Sequence, residues 1–205
     1  FSVSIYLILG DLVMSAGTNP YTTPTTTNTW IEGLSSKYHW QNTSGSSYTT
    51  DIKYYVDSDF YSWETSIITN VQTAYAAVCN VTFTETGSLA VADIDWQALG
   101  SDSTAYGSAY YPGTHTNAAV TDWQSTVNIY YNNYENSGPQ YMGGFDSVTY
   151  LHELGHAMGL AHPHDTGNNS SIFTGVSSAF NDYGTYDLNQ GIYTTMSYNM
   201  GWAAN

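Results

Sequence analysis

Eleven residues, His152-Glu153-x-x-His156-x-x-Gly159-x-x-His162, constrain this chain more than any other stretch. Four residues is about one helical turn, so His152 and His156 project from one face and can share one ion. Zinc has no geometric preference of its own, so the protein must bring neutral imidazoles to three corners of a tetrahedron and leave the fourth for water. Glu153 stands beside the first imidazole, where a carboxylate can reach a metal-bound water as general base. Gly159 ends the helix, because a residue without Cβ can take the left-handed conformation and turn the chain, so that His162 returns as third ligand. Five fixed positions at about one chance in twenty each, over 205 starting points, match by accident on the order of once in ten thousand chains. A helix with two ordinary histidines would leave Glu153, Gly159 and His162 to coincidence.

The charge excludes some partners. Lys37 and Lys53 are the only cations beside histidine and the formal net charge is −15. Neutralising phosphates needs a basic face, so nucleic acid and anionic membranes are not expected partners. The same acidity suits a secreted, extracellular protein in salt or calcium, where counter-ions screen self-repulsion, and equally suits solubility alone; Ca2+ stands beside Zn2+ as a second candidate cofactor. Cys79 is the only cysteine, which rules out an intrachain disulfide, and among Val78, Val81 and Phe83 it reads as a small buried hydrophobe. Asn42, Asn80, Asn168 and Asn169 each open an N-x-S/T sequon, relevant only where the source glycosylates secreted proteins.

Taken in order, Phe1, Val3, Ile5, Leu7 and Leu9 alternate with Ser2, Ser4 and Tyr6 like a strand. The run is about nine residues against the roughly twenty a membrane-spanning helix needs, so no membrane insertion is expected. The Thr/Pro-rich stretch from Tyr21 to Thr29 reads as a linker. Residues 1–29 are therefore taken as leader and linker, with the catalytic domain over 30–205. Thr50 to Val56 is a first strand, after which Asp57 and Asp59 offer helix caps. Ser62 to Val78 is an amphipathic helix through Trp63, Ile67, Ile68, Val71, Ala74, Tyr75 and Val78. Val81 to Glu85 and Val91 to Trp96 read as strands, as do the Tyr-rich Ala105 to Tyr111 and Thr126 to Tyr131. Past His162 comes a long Asn/Ser/Gly-rich loop, Asp165 to about Asp187, of the kind that is functional or metal-held in compact domains.

With the histidine motif followed by Met196-Ser-Tyr198, the sequence resembles the metzincin metallopeptidases. Pro163 after the third histidine and the tyrosine of Met196-Ser197-Tyr198 look like the serralysin subfamily. The resemblance implies an α+β, zincin-like domain: a twisted five-stranded sheet, mostly parallel with one antiparallel edge strand, over an active-site helix and a Met-turn. It implies that His152, His156 and His162 bind zinc, that Glu153 is the base, and that Met196 floors the metal site. Tyr198 becomes a fifth ligand that swings away to stabilise the oxyanion, a role a phenol suits because it can ligate and donate. The function implied is a secreted zinc endopeptidase acting on protein or peptide substrates. The substrate would lie extended along the edge strand formed by Ala105, Tyr106, Gly107, Ser108, Ala109 and Tyr110. Two departures stand out. Serralysins usually have Pro-Gly-Asp where this chain has Pro163-His164-Asp165, and His164 is read as a surface residue. The C-terminal helix and Gly/Asp-rich calcium-binding repeats of that subfamily do not occur in the 205 residues. The rival readings are a non-catalytic zinc-stabilised binding or surface-layer module, and a metzincin outside the serralysin group. A structural site has no use for a base such as Glu153. The sequence sets neither oligomeric state nor cleavage preference.

Overall fold

The computed structural model describes residues 29–36, 38, 40, 50–100, 105–113, 124–130, 145–167 and 170–201, with Phe145 and Asp146 by backbone alone. The leader, nearly all of the linker, and Asn42, Asn168 and Asn169 lie outside the described residues. Five strands, β1 (Thr50–Val56), β2 (Val81–Glu85), β3 (Ile94–Leu99), β4 (Gly107–Ala109) and β5 (Ser125–Tyr130), form one sheet in the order β2-β1-β3-β5-β4. Every neighbouring pair is parallel except β4 with β5, which is antiparallel and puts β4 at the edge. This is the mixed, mostly parallel sheet that the resemblance implied. In β3 the successive residues Ile94, Asp95 and Trp96 are all buried, so both faces of the inner sheet are covered.

Among the described residues three α-helices accompany the sheet: α1 (Thr29–Leu34), α2 (Ser62–Ala76) and α3 (Phe145–Ala157). Helix α2 buries Ile67, Ile68, Val71 and Tyr75, spaced by one, three and four residues, as one stripe against the core. Its Trp63 and Ala74, read from sequence as part of that stripe, are exposed. The helix ends two residues sooner than its apolar spacing suggests, because the N–H groups of Val78 and Cys79 both turn back to Tyr75 O, at 3.0 and 2.8 Å. Asp57 and Asp59 do not cap it. Asp57 Oδ1 accepts from Asp59 N–H at 3.1 Å, closing a turn. At the helix entry Tyr61 N–H donates to Glu64 Oε2 at 2.8 Å. The other oxygen of Glu64 accepts from Tyr150 O–H at 2.8 Å, so one buried carboxylate ties the start of α2 to the middle of α3.

The strand expected from Val91 is shifted. Leu89–Val91 is a 3-10 turn, Val91 is exposed, and Asp93 fixes where pairing begins by accepting from Lys53 N–H on Oδ2 at 2.8 Å. Edge strand β4 is shorter than the seven residues read from sequence, yet single bonds extend the pairing on either side, from Tyr110 N–H to Thr126 O and from Tyr130 N–H to Tyr106 O. Thr29, read as linker, opens α1. Cys79 is partly buried, and burial pushes its thiol up to about 12, in keeping with a packing role.

Candidate active site

Helix α3 carries His152 and His156 one turn apart, and both are buried. The helix stops at Ala157, and Gly159 takes φ +99, a left-handed conformation that a Cβ would strain. The chain that leaves this turn is held by the first described segment. Ser36 N–H donates to Gly159 O at 2.9 Å, Ala161 N–H to Leu34 O at 3.0 Å, and Ser35 bridges Leu160. Trp40 Nε1–H donates to Ala157 O at 2.8 Å, satisfying a carbonyl that the helix end leaves free. His162 thereby comes back to the two helix histidines.

The three imidazoles converge through one nitrogen each. His162 Nε2 lies 3.1 Å from His152 Nε2 and 2.9 Å from His156 Nε2. Each opposite nitrogen faces an acceptor: His152 Nδ1 meets Thr195 O at 2.6 Å, His156 Nδ1 meets Leu160 O at 2.8 Å, and His162 Nδ1 meets Asp165 Oδ2 at 2.7 Å. A carbonyl or carboxylate oxygen can only accept, so the protons sit on Nδ1 and three Nε2 lone pairs face one another. Burial reinforces this by favouring neutral rings: it lowers His152 to about 4 and holds His156 well below the usual imidazole range. Facing lone pairs repel unless a cation lies among them. Corners of a zinc tetrahedron with bonds of about 2.0 to 2.1 Å stand roughly 3.3 Å apart, close to the spacing seen, so the residues fit zinc. His162, His164 and Asp165 also cluster, but that group shares His162 and follows from the Asp165 brace on its Nδ1.

Glu153 is buried beside these rings. Its Oε2 has no hydrogen-bond partner among the described residues, and burial pushes the carboxyl up to about 8. Edge strand β4 approaches it closely: a Cβ on Gly107 would lie 2.6 Å from Glu153 Cγ. On another side of the helix, a Cβ on Gly155 would meet Met196 Sδ at 2.6 Å, so both glycines permit contacts that alanine would obstruct. Met196 is fully buried, and the turn it sits in is tied to α3 by the bond from His152 to Thr195 O. Tyr198 follows on that turn, partly exposed, with its ring centroid 4.8 Å from that of His162 and 5.7 Å from that of His152. Burial, then the charges of Glu153 and Asp165, push its phenol up to about 12.

His164 is not the surface residue read from sequence. Its side chain is only 8% exposed and stacks on His162 at 4.8 Å, because the turn after Pro163 folds it back against the ligand ring rather than outward. Asp165, Glu64, Gly155 and Phe180 were not assigned roles from the sequence. Asp165, three residues after His162, and Glu64, at the third position of α2, carried a local spacing signal. The contacts of Gly155 and Phe180 are between distant parts of the chain and carried none.

The chain is 34% identical over 127 residues to metallopeptidase AprA of Pseudomonas marginalis, covering 61% of this chain and 24% of that protein. The chain is serralysin-like. Serralysin of Photorhabdus laumondii is 28% identical over 126 residues, again 61% of this chain and 24% of the relative. The chain thus spans about a quarter of the length of the curated relatives it matches. No family model matches. Among solved structures, high choriolytic enzyme 1, a hatching enzyme zinc-protease from the medaka fish Oryzias latipes, aligns with a TM-score of 0.38 and 18% identity over 56% of this chain and 46% of its own. Myroilysin aligns with a TM-score of 0.42 and 19% identity over 62% and 52%. No helix among the described residues is long and apolar enough to cross a membrane.

Proposed function

We propose that this chain supplies the catalytic centre of a secreted zinc endopeptidase that hydrolyses extended polypeptides. The observation that carries the reading is the convergence of three Nε2 lone pairs beside a buried carboxylate with a free oxygen. A site built only to brace the fold gains nothing from Glu153, whose desolvation is a cost. Its position, buried beside the ligand nitrogens with one oxygen unpartnered among the described residues, suits a base that takes a proton from the attacking water and returns it to the leaving amine. Bound at His152, His156 and His162, zinc would acidify that water and polarise the scissile carbonyl. Tyr198 O–H donates to the oxygen on which charge develops, since a phenol is protonated and so a donor at neutral pH. An extended substrate joins the sheet at β4, where main-chain bonds bind it whatever its side chains, so specificity is broad. Secretion is supported by the formal charge of −15.

Casein cleavage that stops on chelation and returns with added zinc is the expected result. Stoichiometric zinc binding without any cleavage would instead make the chain a zinc-stabilised binding module. Within the enzyme, Tyr198→Phe should lower kcat and leave KM nearly unchanged, the pattern of a contact made mainly in the transition state. A parent kcat in that variant would reduce Tyr198 to packing.

A further inference from the structure

Tyr198 is partly exposed, so burial alone does not hold its ring in place. Among the described residues four rings touch it. Those of His152 and His162 belong to the ligand set, whereas those of His164, at 4.6 Å, and Phe180, at 5.4 Å, have no part in the chemistry above. We propose that His164 and Phe180 are positioning residues that fix the Tyr198 ring beside the three histidines, an inference that rests on Tyr198 acting on the oxyanion.

His164 contributes as a ring rather than as a hydrogen-bonding group. Its Nδ1 is buried without a partner among the described residues, and its Nε2 is 3.9 Å from Asp165 Oδ2, beyond hydrogen-bond range. What it does make are aromatic contacts: a near-parallel stack on His162, at 13°, and a tilted contact with Tyr198, at 50°. Phe180 is 61% exposed, so the hydrophobic effect does not place it either. Hydrogen bonds of its loop do. Asp182 Oδ2 accepts from Ser177 N–H and O–H and from Ser178 N–H, and Ser178 O–H donates to Phe180 O. Asn181, left-handed at φ 57, donates its N–H to Asn199 Oδ1 at 2.7 Å, which fastens this loop to the residue after Tyr198. The loop and the Met196 turn are therefore tied together, and Phe180 lies stacked on Tyr198 at 30°. Each such aromatic contact biases the ring's placement by about three- to tenfold.

The test is a set of double-mutant cycles on one peptide substrate, with zinc content measured on every variant. His164→Ala and Phe180→Ala should each lower kcat about three- to tenfold, with KM and bound zinc unchanged. His164→Phe should keep most of kcat, since it preserves the ring. In a Tyr198→Phe background, which lacks the hydroxyl being positioned, neither alanine substitution should cost anything further. Costs that persist in that background, or zinc lost from Phe180→Ala, overturn the proposal. Should His164→Ala fail to fold, exposed Phe180 decides the matter by itself. If Tyr198→Phe alone keeps the parent kcat, the oxyanion role fails and the proposal falls with it. A persistent cost beside an impaired Tyr198→Phe defeats only the positioning claim.

Discussion

Helix α3 places His152 and His156 by backbone geometry, one turn apart, whereas His162 reaches the same point from a segment without periodic backbone bonds and is braced by Asp165 at 2.7 Å. The helix needs only its own repeat and a buried stripe. The segment from 158 to 201 needs a left-handed glycine, a bridge to residues 34–36 and a web of side-chain bonds to backbone groups. The comparison teaches that one site can draw rigidity from regular structure on one side and from individually specified contacts on the other. Substitutions on the two sides should therefore fail differently.

The largest effect belongs to the helix and is chemical. Glu153→Ala should lower kcat by about 10² to 10⁴ while zinc content and far-ultraviolet circular dichroism stay at parent values, because Glu153 holds no backbone group. Loss of zinc in this variant would show that the helix residues are not independent of the architecture. On the loop side, Asp165→Ala removes the acceptor for His162 Nδ1 and for Gly167 N–H. Zinc affinity, measured by competition with a chromophoric chelator, should fall about 10- to 100-fold with helix content unchanged. An unaltered affinity would mean that the turn alone holds His162.

Gly159→Ala puts a Cβ at φ +99 and should cost about 1 to 2 kcal/mol in urea unfolding. Gly87→Ala, where a Cβ would meet nothing within 4 Å, is the control and should stay within about 0.5 kcal/mol. Equal costs at the two sites would remove the special status of the turn. The smallest effect lies where α2 meets α3. Burial raises the Glu64 carboxyl above its ordinary 4.5, against the lowering effect of its bonds from Tyr61 and Tyr150. A raised carboxyl contributes stability that is fully present below 4.5 and is lost as pH climbs through its folded value. The parent should therefore lose stability over that rise and Glu64→Gln should not. Matching pH slopes would show that this buried junction titrates like an exposed carboxylate.

What the sequence made legible follows the same division. The five motif positions, the limits of β1 and β2 and the Ile67, Ile68, Val71 and Tyr75 part of the α2 stripe could be read because periodicity and spacing are local properties. The start of β3 could not, since it depends on Asp93 reaching across to Lys53 on a neighbouring strand. His164 was misread for a related reason: its surroundings come from His162 and Tyr198, and Tyr198 arrives from a turn more than thirty positions on. Gly107 was legible as part of an edge strand. Its contact with Glu153 was not, because nothing in either residue's neighbours encodes the approach of the other.

The bond from Trp40 to Ala157 joins residues 117 apart, and the bridge between Ser35 and Leu160 spans a similar stretch. Such a closure loses its chain entropy before its contacts reward it, and in a chain made from its N-terminus the early partner exists long before the late one. During synthesis the segment around Leu34 is made before all five strands, α2 and α3, and its partners Leu160 and Ala161 follow them. The α3 histidines can stand one turn apart as soon as that helix forms. The third histidine relies on this long-range closure, so it is expected to come into place after the two on α3.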